Sequence, residues 1–241
     1  MKILAIDSSG LTASAAVTEN GILTAEYTVN YKKTHSQTLL PMIDEISRMI
    51  ELDLNTLDAI AVAGGPGSFT GLRIGSATAK GLGLALGKPL IAVPTADALA
   101  FNLYGAAGVI CPMMDARRSQ VYTGIYRFRG DDFITVLPQR AEAVEETAAR
   151  LNALGEPVIL LGDGASVYRD QLKELLRVPW IMAPAHVNRQ RAGAVAALGE
   201  RYFLEGRTET AAEHKPEYLR LSQAERERAE RERAERGEDR A

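Results

Sequence analysis

Asp7, Ser8 and Ser9 are the first residues along the chain whose types could carry out chemistry. They follow a run of apolar residues that predicts a buried strand ending in an acid. In a two-lobed protein, such an aspartate can hold a metal-bound phosphate at the cleft. The alternative is an aspartate that caps a turn, and these residues alone favour that alternative.

A glycine-rich loop, residues 64–71, precedes a predicted helix. It lacks the Gly-Lys-Ser/Thr of a Walker loop, and its glycine spacing misses the dinucleotide-binding pattern. Backbone amides at a helix N-terminus can still bind an anion. The weak candidates for a nucleotide or anion site in the cleft are therefore Asp7, Ser8, Ser9, Gly65, Gly67 and Asp115, the last of which also ends a predicted strand.

The helix after this loop is rich in small residues. One set recurs every four residues and so shares a helical face: Gly71, Gly75, Ala79, Gly83 and Gly87. Gly81 and Ala85 form a second small patch. Each glycine costs a helix roughly 1 kcal/mol relative to alanine, whereas small residues let a neighbour approach closely. The pattern therefore predicts close packing first and anion binding second.

No set of residues indicates a metal or a nucleophile. His35, His186 and His214 lack zinc spacing, so we expect surface or capping histidines and no metal site. Cys111 is the single cysteine, so no internal disulfide can form. We expect it to be a small buried residue rather than a catalytic thiol. We therefore assign no catalytic residue.

The charge balance bears on partners. The chain of 241 residues has a net charge of −3, whereas proteins that bind nucleic acid alone usually carry a basic surplus. Any nucleic-acid role is expected to be indirect, with a basic strip of Arg117, Arg118, Arg189 and Arg191 on a composite surface. The N-terminus does not fit a signal peptide, and residues 72–86 are too polar for a membrane span. We expect a cytoplasmic protein.

The hydrophobic pattern predicts the order βββαβαβα twice. The first half has strands at 2–7, 13–18, 22–30, 58–63 and 90–93, with helices at 34–51, 69–86 and 96–104. The second has strands at 109–115, 120–128, 133–137, 158–161 and 178–182, with helices at 141–154, from 164 to about 177, and at 188–204. This predicts an α/β protein with two similar lobes, 1–105 and 106–221, and a cleft between them. Residues 222–241 are expected to be a solvated helical or disordered tail.

Five stretches together resemble one known family. They are Asp7-Ser8-Ser9, His35-Ser36-Gln37 with Leu39-Leu40-Pro41, the block 65–75, Ala79-Lys80-Gly81, and the late stretch 215–220. The family is the bacterial TsaB family, also called YeaZ, and the resemblance extends to about Leu221. It implies the two-lobed fold of actin, sugar kinases and chaperone ATPases (the ASKHA fold), which agrees with the repeated element order.

The resemblance also implies a function in making threonylcarbamoyladenosine next to the anticodon of tRNA. In that system TsaD, a paralogue, carries the metal and transfers the group, TsaE is a third component with ATPase activity, and TsaB is a non-catalytic partner. The implied partners are a TsaD-like protein, a TsaE-like protein and a second copy of the free chain, with tRNA contacted through the complex. No cofactor is required, although weak ATP or ADP binding in the complex is compatible with this view.

The alternative function is a nucleotide-binding ATPase or kinase that uses Asp7 and Asp115 in the cleft. The glycine motifs for phosphate and adenosine are incomplete, and no third carboxylate can be assigned to activate water. The family has also been labelled a glycoprotease, and nothing in the sequence supports peptide hydrolysis.

The family's pairing through two helices implies where the partner interface lies. The expected interface residues are Leu39, Ile43, Ile46 and Ile50 on the first helix and Gly71, Gly75, Ala79 and Gly83 on the second. A charge at Ile43 or Ile46 is expected to abolish pairing while leaving the fold intact.

Overall fold

The computed structural model describes residues 1–220, so the predicted tail lies outside the described residues. The strands are β1 (Lys2–Asp7), β2 (Thr12–Glu19), β3 (Ile22–Asn30), β4 (Ala59–Gly65), β5 (Leu90–Pro94), β6 (Val109–Asp115), β7 (Gln120–Arg129), β8 (Asp132–Ala143), β9 (Val158–Leu161) and β10 (Trp180–Met182). The helices are α1 (His35–Met49), α2 (Phe69–Leu86), α3 (Thr95–Phe101), α4 (Val144–Leu154), α5 (Asp163–Val167), α6 (Arg169–Leu175) and α7 (Ala192–Leu204).

Two five-stranded sheets share one topology. The first has the order β3-β2-β1-β4-β5, and the second has the corresponding order β8-β7-β6-β9-β10. In each sheet, three antiparallel strands are followed by two that run parallel to the central one. The predicted repeat of the element order is therefore confirmed.

The central strands are covered on both faces, which is why they are continuously apolar. Ile3, Leu4, Ala5 and Ile6 of β1 are all 0% exposed. Helices α1 and α2 cover one face of the first sheet, and α7 covers the other. Asp7, at the end of β1, is consequently held at the edge of a rigid sheet.

Helix α7 corrects the predicted lobe assignment. Its sequence falls in the range given to the second lobe, yet it packs on β1 and β2 of the first sheet. Gly199 makes this close packing feasible, because a Cβ there would lie 2.8 Å from the Ala61 Cβ. The division of the chain at residues 105 and 106 otherwise stays a prediction.

Several element boundaries differ from prediction. Strand β8 continues to Ala143, where a helix was expected from residue 141, because its last residues pair with the start of β7. The helix expected between residues 164 and 177 is two short helices, α5 and α6. Helix α7 begins at Ala192 rather than 188, because Asn188 bonds to Gly162 instead.

Helix α1 begins at His35, one residue after its predicted start, and contains Pro41 within its length. Within residues 1–220, none of the helices combines the length and the apolarity needed to span a bilayer.

Candidate functional site

The turn after β1 is held together by hydrogen bonds between its own residues. Asp7 is 1% exposed, and its Oδ1 accepts bonds from the Ser9 amide at 2.9 Å and the Ser9 hydroxyl at 2.7 Å. Burial raises the pKa of Asp7 to about 6, against the opposing effects of the Ser9 bonds and of His35. This geometry is that of the turn-capping aspartate, the alternative that the sequence favoured.

The glycine loop after β4 packs directly on that turn. The Ser68 amide donates to the Ser9 carbonyl at 2.6 Å, and the Ser8 hydroxyl donates to the Gly71 carbonyl at 2.8 Å. A Cβ at Gly67 or Gly71 would lie less than 3.0 Å from the backbone oxygen of Ser9 or Ser8. These two glycines are therefore required for close approach of two backbone segments.

The second lobe repeats this arrangement at its own strand end. Gly162 and Gly164, which follow β9, lie against the end of β6, and a Cβ at either position would be less than 3.0 Å from that strand's backbone. Asp115, at the end of β6, accepts from the Arg117 amide at 2.8 Å and the Tyr168 hydroxyl at 2.9 Å. Asp163 accepts from the Asp115 amide, and burial raises the pKa of Asp163.

A cavity of about 500 Å³ lies between the two strand ends. Of the six predicted cleft candidates, it is lined by Ser9, Gly67 and Asp115. Ser8 and Asp7 are buried beneath the turn, and Gly65 is covered by the backbone of Glu217. Other lining residues that sequence reasoning did not select are Asp163, Gln190, Glu217, Tyr218 and Arg220.

Within residues 1–220, no three His, Cys, Asp or Glu side chains come together in a group that could hold a metal ion. The histidines have structural contacts. His35 Nε2 lies 2.8 Å from the Gly10 carbonyl, and His186 is exposed. His214 is 1% exposed with Nδ1 2.7 Å from Glu209 Oε1, so the expectation of surface or capping histidines is wrong for His214. Cys111 is 0% exposed, which confirms the expected buried residue.

Comparisons with known proteins cover almost the whole chain. A family model described as "TsaD: tRNA N6-adenosine threonylcarbamoyltransferase" matches residues 23–228. The "tRNA threonylcarbamoyladenosine biosynthesis protein TsaB" of Bacillus subtilis (strain 168) is 34% identical, covering 93% of this chain and 96% of that protein. The protein of the same name from Escherichia coli (strain K12) is 31% identical, covering 91% and 95%. The chain belongs to the TsaB family.

The structural comparison agrees with this assignment. A crystal structure from Pseudomonas aeruginosa, described as an uncharacterized protein with similarity to peptidase YEAZ, has a TM-score of 0.79 at 27% identity. It covers 91% of this chain and 99% of that one. The resemblance found in the motifs is confirmed, and so is the two-lobed actin-like (ASKHA) fold. The matching family model is named for the transferase, whereas the full-length relatives place the chain with TsaB.

In this TsaB-family chain, the residues expected at the partner interface point inward. Leu39, Ile43 and Ile46 are 1%, 3% and 4% exposed and pack on the first sheet, and Ile50 is half-buried against the same core. The inward face of α2 consists of Gly71, Gly75, Ala79 and Gly83, which are all buried. These apolar and small stripes pack on the sheet beneath, so the structure places these candidate interface residues in the core of the first lobe, and their place in a partner interface stays a prediction.

The outward face of the same helix pair carries other apolar groups. Leu40 on α1 is 54% exposed and Leu84 on α2 is 70% exposed. Ala77 and Gly81 are also exposed on α2, and a Cβ at Gly81 would have no atom within 4 Å. Among residues 1–220, this outward-facing glycine thus has no packing explanation. We refer to these four exposed residues of α1 and α2, Leu40, Ala77, Gly81 and Leu84, as the outer helical face.

The proposed basic strip is only partly available. Arg191 is paired with Glu26, which is itself nearly buried, and Arg117 is paired with Asp115 at 3.2 Å. Arg189 donates to the Asn188 carbonyl at 3.0 Å. Three of the four predicted arginines are therefore engaged in contacts with other residues, so the four do not form a strip of free side chains.

Proposed function

We propose that this chain is a partner subunit, with no catalytic residue of its own, in the synthesis of threonylcarbamoyladenosine next to the anticodon of tRNA. It acts in the cytoplasm with a TsaD-like transferase and a TsaE-like ATPase, and it pairs with itself when free. It requires no cofactor, and it contacts tRNA through the complex. The observation that carries the proposal is the likeness to TsaB proteins along nearly the whole of both chains.

The strand ends support a role without catalysis. The side chain of Asp7, the acid that would hold a metal-bound phosphate, lies beneath its own turn, and the cavity lining does not include it. The Ser8 hydroxyl and the Ser68 amide are already bonded within the chain. A phosphate would have to displace these bonds, and each displaced buried group costs about 1–3 kcal/mol if left unpaired.

The outer helical face supports a role in partner binding. Gly81 lowers the intrinsic stability of α2 by roughly 1 kcal/mol, and a side chain there would meet no atom of the part of the chain that the structure describes. A helix of a partner could approach closely at Gly81 and Ala77 and bury Leu84 and Leu40. We place the TsaD-like partner, and in its absence a second copy of this chain, on this face.

The test is a reconstituted reaction with tRNA, an activated donor of the threonylcarbamoyl group, and the TsaD-like and TsaE-like proteins of the same organism, with modified nucleoside in tRNA measured by mass spectrometry. Omitting this chain should abolish the product or lower it greatly. Leu84→Asp should lower the product in the same way, whereas Leu204→Asp, at a leucine 75% exposed on α7, is the matched control and should not. Equal product without the chain would refute the proposed function, and equal product with Leu84→Asp would refute only the proposed face.

A second candidate function is nucleotide binding in the cleft, because the cavity of about 500 Å³ has the size of a small-molecule site. Calorimetry with ATP and magnesium distinguishes the two functions. Micromolar binding with turnover by the isolated chain would favour the ATPase or kinase. Weak binding of ATP or ADP that appears only in the complex would agree with the partner subunit.

A further inference from the structure

The last described residues, 214–220, run across the cleft and contact both lobes. We call them the C-terminal strap. On the first lobe, the Glu217 amide donates to the Gly64 carbonyl at 2.7 Å. Gly65 is required beneath it, because a Cβ there would lie less than 3.0 Å from the Glu217 carbonyl oxygen, and its φ of 112° is unfavourable for other residues.

The strap is also attached to helix α2 at two points. The Tyr218 ring packs on the Phe69 ring with centroids 4.7 Å apart, and the Arg73 guanidinium lies 4.0 Å from the Phe69 ring centroid on the same helix. Two turns further on, Lys80 donates to the His214 carbonyl at 3.0 Å. The strap is therefore fixed along the first lobe from its first residue to Tyr218.

Gln139 connects the strap to the second lobe. Its amide nitrogen donates to Glu217 Oε2 at 2.6 Å and to the Gly65 carbonyl at 3.1 Å, and its Oε1 accepts from the Ala96 amide at 3.3 Å. Gln139 lies on β8, so a single side chain from the second sheet bonds to the strap, to the end of β4 and to the start of α3. The bonds to Gly65 and Ala96 link the second lobe to the first, and the bond to Glu217 links the second lobe to the strap.

The end of the strap braces a strained turn. Arg117, Arg118 and Ser119 between β6 and β7 have φ of 66°, 56° and 55°, a conformation that non-glycine residues adopt only when their surroundings enforce it. Arg220 donates to the Ala116 carbonyl and lies 3.5 Å from the Arg117 carbonyl. The strap thus reaches the cleft edge of the second lobe and holds it in place.

Two further connections join the lobes: helix α3, and the segment 183–191 that leads from β10 of the second sheet to α7 on the first. Helix α3 packs on strands of both sheets, and Tyr126 of β7 donates to Asp97 of α3 at 2.7 Å. In folds with two lobes, ligand binding commonly closes the cleft by rotation about such a connection. The strap differs from these connections because it spans the open side of the cleft, where an attachment restricts such a rotation most directly.

We propose that the C-terminal strap is a lock that holds the two lobes at one separation, with Gln139 and Arg220 as its attachments to the second lobe. The free chain therefore does not open and close as a hinge. The lock concerns the isolated chain, so it stands or falls independently of the tRNA function.

The test measures the distance between spin labels on Thr24→Cys in β3 and Lys173→Cys in α6, two exposed positions on different lobes. Cys111 is buried and stays unlabelled, and an excess of unlabelled chain restricts the measurement to distances within one chain. The lock variant is Gln139→Ala with Arg220→Ala. The matched control is Gln171→Ala with Arg48→Ala, which removes the same two residue types from contacts within single lobes.

We expect one narrow distance distribution for the unchanged chain and the control, and a broad or bimodal one for the lock variant with both lobes folded. A narrow, unchanged distribution in a folded lock variant would overturn the proposal. Arg220→Ala alone serves if the double variant does not fold. With this variant, the Gln120 amide, which donates to Arg117, should exchange hydrogen about tenfold faster, the order expected for the loss of one or two net hydrogen bonds. Unchanged exchange there would equally count against the lock.

Discussion

Two glycines on one helix provide a direct test of how α2 packs. Gly81 is exposed, and a Cβ at this position would meet no atom within 4 Å. Gly71 is buried, and a Cβ there would lie less than 3.0 Å from the backbone oxygen of Ser8. The same substitution, glycine to alanine, should therefore have opposite effects ten residues apart.

The expected magnitudes follow from helix propensity and packing. Gly81→Ala should raise the free energy of unfolding by roughly 1 kcal/mol, because alanine is the better helix former and meets no obstacle. Gly71→Ala gains at most the same free energy from helix propensity, but its methyl group forces the residues at the end of β1 away from α2. Overpacking of this kind costs about 1–3 kcal/mol or more, and the Ser8 carbonyl cannot rotate away as a side chain could. The two variants should differ by about 2–4 kcal/mol.

Thermal and urea unfolding, followed by circular dichroism at one protein concentration, measure both effects. For a chain of this size, 1 kcal/mol shifts the melting temperature by about 2–4 °C. Gly81→Ala should therefore melt a few degrees higher than the unchanged chain, and Gly71→Ala lower. Two variants that shift in the same direction would refute the inward and outward faces assigned to α2.

Three further predictions concern single positions. Leu40→Asp, on the outer helical face, should abolish pairing of a folded chain in light scattering. Ile43→Asp should unfold the chain, because the charge would be buried and unpaired, so the burial of Ile43 and Ile46 replaces the sequence-based expectation that a charge there leaves the fold intact. Burial raises the pKa of Asp7 from 3.8 to about 6, so its favourable contribution to stability is complete below pH 4 and is lost as pH rises through 6. Asp7→Asn keeps an acceptor for Ser9 but carries no charge. Its free energy of unfolding should therefore match that of the unchanged chain at pH 4 and exceed it by roughly 3 kcal/mol at pH 7. Equal free energies of unfolding at pH 7 would contradict a buried carboxylate at this position. Burial raises the pKa of the Cys111 thiol to about 12, so thiol reagents should label it only in denaturant, and rapid labelling of the native chain would contradict its burial.

Helix α2 shows what the sequence predicts well. Its bounds, Phe69–Leu86, are those predicted, because both ends carry strong local signals. Ser68 accepts from the Gly71 amide as the N-terminal cap, and Gly87 has the left-handed conformation, with φ of 64°, that ends many helices. Such signals act within a few residues and need no knowledge of the remaining chain.

The direction of each helical face could not be predicted in the same way. A repeat of small residues every four positions establishes that Gly71, Gly75, Ala79 and Gly83 share a face. Whether that face meets a sheet of the same chain or a helix of another chain depends on contacts distant in sequence. The second patch at Gly81 and Ala85 was visible in the sequence, and its exposure is what the structure adds.

Gln139 illustrates a functional position that local patterns cannot reveal. Its amide group bonds to residues 74 and 78 positions away, and a single glutamine in a strand carries no periodic signal. Sequence reasoning also ended this strand at residue 137, whereas β8 continues to Ala143. The late stretch 215–220 was noted as a family motif, but its path across the cleft depends on the same distant contacts.

The duplicated fold explains why a loop that resembles a phosphate site works here as a packing device. A phosphate loop needs glycines so that backbone amides can approach an anion closely. In this chain, the Ser68 amide approaches the Ser9 carbonyl, and the Gly162 amide approaches Asn188, so a backbone or side-chain oxygen of the chain stands where an anion's oxygen would be. In each lobe, the amide at this position donates to an oxygen of the chain itself. A loop formed by chance would show this arrangement in only one of the lobes. Filling these positions stabilises each lobe without a ligand, and the C-terminal strap contacts both lobes across the cleft, so both features support the proposed partner subunit over a nucleotide site in the cleft.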